Sequence, residues 1–146
     1  MTTARTSRAA PHPTRPRLRL VNAFTCWILR TPGVRRLADH QVAELRFIGR
    51  NSGRRVRLPV MYAQSGNRLV VLVGGPDGKR WWRNFRRLHP LQVLLRGTVR
   101  QGVGHVAAVG TPERAEAAAI YAARYPDLPV RDDPIVVIIL DGHSPR

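Results

Sequence analysis

The chain has 146 residues with 43% apolar and 23% charged side chains, a balance that gives one domain with one core and excludes wholesale disorder. Its single cysteine, Cys26, excludes an internal disulfide framework, and no Cys/His grouping has zinc-site spacing, so no metal is expected and a reducing, cytoplasmic setting is. The net charge of +16 is concentrated in residues 45–100, which hold thirteen Arg or Lys against one acid, Asp77, and points to phosphate, nucleic acid or acidic lipid as partner.

Residues 1–19 hold Thr, Ser, Pro, Ala and five Arg without apolar periodicity, and read as a disordered basic tail ahead of a single domain over 20–146. The stretch 20–29 is apolar but too short for a bilayer, which needs about 20 residues. It is either a packed amphipathic helix or a peripheral membrane contact through residues 20–30, which would place the protein at the inner face of the membrane. From residue 42 the period changes. Strands are expected over 42–49, 57–64 and 68–73, with turn chemistry at Ser65-Gly66-Asn67. Residues 74–78 form a glycine-rich loop, and 80–88 a short helix with Trp81, Trp82, Phe85 and Leu88 at near-helical spacing, ended by Pro90. Two further strands, 91–96 and 98–109, join at Gly97, and Gly102 and Gly104 mark a bulge or a close backbone approach. Thr111-Pro112-Glu113 starts an Ala-rich helix running to about Tyr125, and 135–140 is a fully apolar last strand. Six strands with two or three helices give the α+β class, as a small barrel or a strongly curved sheet.

Two segments carry candidate chemistry. Gly49-Arg-Asn-Ser-Gly-Arg-Arg55 offers two glycines, a serine hydroxyl and three guanidinium groups between two strands, either as an anion-binding loop or as an ordinary basic hairpin. Gly74-Gly-Pro-Asp-Gly-Lys-Arg-Trp-Trp-Arg-Asn84 runs a glycine loop into a helix with two indoles and four cations, either a shelf for a flat heterocycle or hinge packing. The five histidines are far apart, and acids are too scarce in residues 45–100 for a paired-carboxylate mechanism, so an enzyme built on this chain needs a cofactor to bring the chemistry.

Gly49-Arg-Asn-Ser-Gly-Arg-Arg-Val-Arg-Leu-Pro-Val-Met-Tyr62, Gly66-Asn-Arg-Leu-Val-Val71, Lys79-Arg-Trp-Trp-Arg-Asn-Phe85 and His89-Pro90 together resemble the deazaflavin-dependent nitroreductase and quinone reductase family. That family has a G-R-x-[ST]-G loop, a strand with Pro and Tyr, a G-[DN]-R-x-V-V strand, a glycine loop, a W-x-x-N-L helix and then a proline. The resemblance implies a split β-barrel of the flavin-binding type. It also implies coenzyme F-420, a deazaflavin with a phosphate and an oligoglutamate tail, with FMN as the alternative cofactor, and hydride transfer to an apolar quinone, nitro or enone acceptor. By position, Arg50, Asn51, Ser52, Gly53, Arg54, Arg55 and Arg57 would hold phosphate and carboxylates. Val73, Gly74, Gly75 and Lys79 would run beside the ring, Trp81 or Trp82 would pack near its reactive face, and Tyr62 or a backbone N–H would be a proton or hydrogen-bond donor. Asn51 stands where many members carry Lys or Arg, and Leu128 and Arg131 where some carry tyrosines. Two alternatives from other classes stay open: a nucleic-acid module using the arginines and tryptophans, and a non-catalytic split barrel for an apolar ligand or membrane surface. A homodimer is compatible with each.

Overall fold

The structure, a computed structural model, describes residues 41–142. The expected basic tail over 1–19 and the apolar stretch 20–30 lie outside the described residues. Seven antiparallel strands form one sheet: β1 (Val42–Ile48), β2 (Arg55–Met61), β3 (Ala63–Ser65), β4 (Arg68–Leu72), β5 (His89–Leu95), β6 (Thr98–Val106) and β7 (Ile135–Leu140), in the order β2-β1-β5-β6-β7-β4-β3. One α-helix, α1 (Pro112–Arg124), and two 3-10 segments, Pro76–Gly78 and Trp81–Arg86, complete the described fold.

The stretch expected as one strand over 57–64 is two. Only Tyr62 separates β2 from β3, yet β2 pairs with β1 at one edge of the sheet and β3 with β4 at the other. One continuous run of chain therefore carries both edges, and the sheet must curl into a split barrel to let it. The backbone at this corner is held by the Tyr62 amide donating to the Gln41 carbonyl at 3.1 Å.

Period-2 alternation sorts each strand between two faces. In β1, Ala43, Leu45 and Phe47 are buried inside the barrel with Val93, Val136, Ile138 and Leu140. A second core lies outside, where Ala117 and Tyr121 of α1 cover Val70, Ile135 and Val137. The residues of β7 alternate between the two cores, so both its faces are covered, which is why its sequence is apolar throughout.

Helix α1 begins as its sequence dictates, with the Thr111 hydroxyl accepting from the Arg114 amide at 3.3 Å and Pro112 in the first turn. Its far end is fixed by the Tyr125 hydroxyl, which donates to the Tyr62 carbonyl at 2.6 Å.

One end of the barrel is plugged by Trp81–Arg86. The residues expected as a helix over 80–88 form a shorter 3-10 helix, and Leu88, expected on its apolar face, is 67% exposed. Phe85 is fully buried and meets Phe47 edge-on at 5.0 Å. Pro90 is the second residue of β5 instead of a stop; the ladder with β1 runs only from Gln92 to Leu94, so the missing N–H breaks no bond on that side. Strand β6 ends at Val106, three residues earlier than expected. Gly102 and Gly104 mark close approaches: a Cβ would lie 2.7 Å from the Ile139 carbonyl oxygen at the first and 2.8 Å from the Phe85 ring at the second.

Gly104→Ala therefore should push the Phe85 plug outward, with an overpacking loss of about 1–3 kcal/mol in urea denaturation. Gly142→Ala, with open space around the new methyl, should cost nothing measurable. Burial pushes the Tyr121 phenol up to about 12 and raises that of Tyr125 as well. A phenol whose folded pKa lies above its unfolded value near 10 stabilises the fold fully below pH 10 and loses that contribution as pH climbs toward 12. Melting temperature should fall steeply over that window, and Tyr121→Phe should flatten the fall.

Candidate functional site

The sheet register puts the C-terminal ends of β1, β4 and β6 and the N-terminal ends of β2, β5 and β7 at one end of the barrel. The loop 49–54 and the segment 73–88 are therefore neighbours, although β2, β3 and β4 lie between them in the chain.

Loop 49–54 is a self-contained turn. The Gly49 amide donates to the Arg54 carbonyl at 2.8 Å and the Gly53 amide to the Gly49 carbonyl at 2.9 Å. The Ser52 hydroxyl accepts from the Arg54 amide at 3.2 Å. Gly53 has φ 64°, the left-handed region that favours glycine. Asn51, Ser52, Gly53, Arg54 and Arg55 are exposed.

Arg50 ties this loop to the barrel plug. Its amide donates to Asn84 Oδ1 at 2.8 Å and its Nε to the Asn84 carbonyl at 2.8 Å. Its terminal nitrogen reaches the carbonyls of Leu88 at 2.5 Å and Arg87 at 3.4 Å. Asn84 closes the knot by donating from Nδ2 to the Trp81 carbonyl at 2.8 Å, which makes Trp81 the tryptophan three residues before the asparagine. Behind it, His89 Nε2 is 2.6 Å from the Ile48 carbonyl oxygen.

The arginines divide into those used by the fold and those left over. Arg50 is committed to the carbonyls just named. Arg57 belongs to an outward-facing cluster, where Glu44 lies 3.0 Å from Arg57 and is also bonded by Arg46. Those two arginines sit directly opposite each other across β1 and β2, and the carboxylate placed diagonally between them offsets their repulsion. Glu44 is held below the usual carboxylate range, first by the Arg46 hydrogen bond and then, against a desolvation cost, by Arg57. Arg68 is paired with Glu116 at 3.0 Å, and Arg114 donates to the carbonyls of Arg131 and Asp133, each at 3.0 Å. By contrast, the exposed guanidinium groups of Arg54, Arg55, Arg80 and Arg87 have no hydrogen bond or ion pair among the described residues. Arg83 and Arg86 lie over the Trp82 ring, 5.9 and 5.3 Å from its centroid. The sequence counted Arg83, Arg86 and Arg87 among the four cations of the plug helix without assigning any of them to a ligand.

The glycine loop turns at Gly75, φ 61°, into Pro76–Gly78, and Trp82 Nε1 donates to the Pro76 carbonyl at 3.3 Å. Val73 is buried, with its amide on the Pro134 carbonyl at 2.9 Å, while Gly74 and Lys79 are half-buried. Trp81 and Trp82 are part-buried against the barrel core, Trp81 meeting Phe85 at 6.2 Å, so both pack as well as line this end. Tyr62 lies elsewhere: it is 3% exposed, inside the barrel core, and is not brought to the loop surface. A shallow cleft between the start of α1 and residues 130–132, lined by Thr111, Arg114, Ala118 and Val130, contains none of the sequence-predicted residues. Among the described residues no three His, Cys, Asp or Glu side chains converge, and no helix is long and apolar enough to cross a membrane.

This division predicts opposite behaviour for neighbouring arginines. Arg50→Ala should lower unfolding free energy by about 1–3 kcal/mol, since several charge-assisted bonds are lost at a partly solvated site. Arg54→Ala with Arg55→Ala should leave the melting temperature within about a degree of wild type.

No family model and no curated protein matches the chain in sequence. Solved structures do match in shape. An F-420-H2-dependent reductase (FDR-A) superposes with a TM-score of 0.52 at 17% identity, over 67% of this chain and 93% of that one. A protein described as a domain-swapped dimer superposes with a TM-score of 0.53 at 18% identity, over 84% and 98%. An FAD- and heme-binding protein from Mycobacterium smegmatis gives 0.47 at 16%, over 78% and 69%. The seven-stranded curled sheet with its single described α-helix is thus the split-barrel fold found in the F-420-H2-dependent reductase structure.

Proposed function

We propose that the protein is an oxidoreductase that binds reduced deazaflavin coenzyme F-420 at the loop end of the barrel and passes a hydride to a quinone, nitro or enone acceptor. The observation that carries this reading is the set of guanidinium groups without a partner among the described residues, Arg54, Arg55, Arg80 and Arg87, held at one end of the barrel by the Arg50–Asn84 knot. A phosphate followed by several glutamate carboxylates needs several cations in a row, each free to make planar two-point bonds. FMN, with one phosphate, leaves most of them idle. Arg54 and Arg55 would hold the phosphate and first carboxylates, and Arg87, with Arg83 and Arg86, the later ones. Arg50 and Arg57, grouped with the anion ligands in the sequence, serve in this reading to shape the loop and the outer face.

The deazaflavin supplies a two-electron hydride donor when bound. The chain's own part is to hold and orient it: the backbone 73–79 lies where the ring would rest, and Trp81 and Trp82 form a wall that excludes water and positions a flat acceptor. The likeness to the FDR-A reductase in fold supports this reading. A nucleic-acid platform is less well supported, because the Trp82 ring that would stack on a base is part-buried and already has two arginines over it.

Calorimetry with cofactors of increasing glutamate number tests the tail site. Affinity should rise with tail length and fall with salt, and Arg54→Ala with Arg55→Ala should weaken binding by roughly 2–4 kcal/mol. Equal affinity for a tail-less cofactor would remove the arginines from the site. Turnover, followed by the absorbance change as reduced deazaflavin is oxidised with menadione, should drop on the order of a hundredfold in Trp81→Ala or Trp82→Ala through misplacement of the acceptor, while cofactor affinity changes little.

A further inference from the structure

Three apolar side chains stand exposed at the rim of the loop end, and the strand register brings them together. Along β1 the inward positions are Ala43, Leu45 and Phe47, so Ile48 is turned outward, where it is 49% exposed. Buried His89 separates Leu88 from Pro90, which sets both on the outer side, and both are exposed. The β1–β5 register, Glu44 with Leu94 and Arg46 with Gln92, carried two residues further sets Ile48 beside Pro90. Half-buried Val103 of β6 is paired with Pro90 on its other side. The main chain under the two aliphatic tips is fixed: His89 Nε2 lies 2.6 Å from the Ile48 carbonyl oxygen, and Arg50 holds the carbonyl of Leu88. Leu88 cannot fold into the barrel mouth, which is filled by Phe85 and His89, packed edge-on with ring centroids 5.7 Å apart.

Cations stand beside these side chains. Arg55 is paired with Ile48 across β1 and β2, and Arg87 precedes Leu88 in the chain; both guanidinium groups are exposed and without a partner among the described residues. Glu44, four residues back along β1, is already bonded by Arg46 and Arg57, and Asp77 is the one acid in residues 45–100. A single exposed apolar residue is ordinary, whereas a contiguous group beside uncompensated charge marks a contact surface. A free phosphate, a carboxylate tail or a nucleic acid would engage the arginines and leave Ile48 and Leu88 in water. A bilayer of acidic lipid takes both, because its phosphates lie just above its acyl chains: guanidinium groups meet the headgroups while aliphatic tips enter the layer beneath.

The geometry points to the rim of Ile48, Leu88 and Pro90, with Arg55 and Arg87, as a docking surface for an anionic lipid bilayer. The proposal stands apart from the hydride-transfer reading. Under that reading Arg55 and Arg87 also meet the cofactor tail, so headgroups and tail share two cations. Ile48 and Leu88 serve the lipid contact alone, and the test is made on them.

The full chain is sedimented with vesicles of phosphatidylcholine and phosphatidylglycerol in equal parts, and with vesicles of phosphatidylcholine alone. Wild type should bind the acidic vesicles and lose most of that binding on phosphatidylcholine or in high salt. Ile48→Ser with Leu88→Ser should weaken binding to the acidic vesicles on the order of tenfold or more, with the melting temperature unchanged because both side chains are exposed. Val99→Ser, at a position 46% exposed on the same outer face but at the opposite end of the barrel, should bind like wild type. Undiminished binding in the double variant assigns the lipid contact to another part of the chain, and an equal loss in Val99→Ser spreads it over the whole face. Either result overturns the proposal, as does a wild type that stays in the supernatant. Deazaflavin affinity of the double variant should match wild type, which keeps failure of this surface separate from failure of the reductase reading. A chain that binds no deazaflavin sinks that reading and leaves the vesicle result standing.

Discussion

The geometry of the loop end depends on one side chain. The carbonyls at the C-terminal end of the 3-10 helix have no partners within that helix, and Arg50 supplies them, reaching Asn84, Arg87 and Leu88 from a loop on the far side of β1. The same contact does two jobs. It fastens the plug of the barrel, and it places the exposed arginines of loop 49–54 alongside those of the 3-10 helix. A guanidinium directed at helix-end carbonyls also brings positive charge to the negative end of the local dipole. Without it the two basic segments would be separate excursions from the sheet, each tethered only at its ends.

The barrel behind this contact is rigid for a reason of connectivity. The strand pair β2 and β3 spans both edges of the sheet with a single residue between, and that residue's carbonyl is held by Tyr125 from the end of α1. The inner core, the outer core and the seam between them are therefore coupled through Tyr62. Loops that must hold an extended anion benefit from such a base, because ordering is done once on folding and need not be repeated on binding. The chemistry proposed for this end is light by comparison: position a ring, exclude water and supply charge.

Much of the fold is legible in the chain, and the reasons differ from element to element. The start of α1 is announced by Thr111 and Pro112, and the double burial of β7 by six apolar residues in succession. Gly102 and Gly104 signalled close approach, and the partners are the Ile139 carbonyl and the Phe85 ring. The break at Tyr62 was invisible, since apolar alternation continues across it and the curl that requires it belongs to the whole sheet. The 3-10 helix was read as α-helical because Trp81, Trp82, Phe85 and Leu88 fit either period; only the exposure of Leu88 distinguishes them. Of the candidate site, the two basic segments were legible in the chain, and their meeting at one end of the barrel through Arg50 and Asn84 was not. Arg57 looks like its neighbours Arg54 and Arg55 until β1 is laid beside β2 and Glu44 falls diagonally across from it. Arg50 looks like an anion ligand until Asn84, thirty-four residues on, is seen to take it. Such pairings are set by strand register, which local sequence does not encode.

The division of arginines into spent and unspent is the centre of this account, and nitrogen-15 spectra of the guanidinium Nε–H groups measure it most directly. On titration with oxidised coenzyme F-420 carrying several glutamates, the resonances of Arg54, Arg55, Arg80, Arg83, Arg86 and Arg87 should shift and saturate together, while those of Arg57, Arg68 and Arg114 stay where they are. Saturating shifts at Arg114 and Arg131, beside the cleft at the start of α1, or no shift at any arginine, would contradict it.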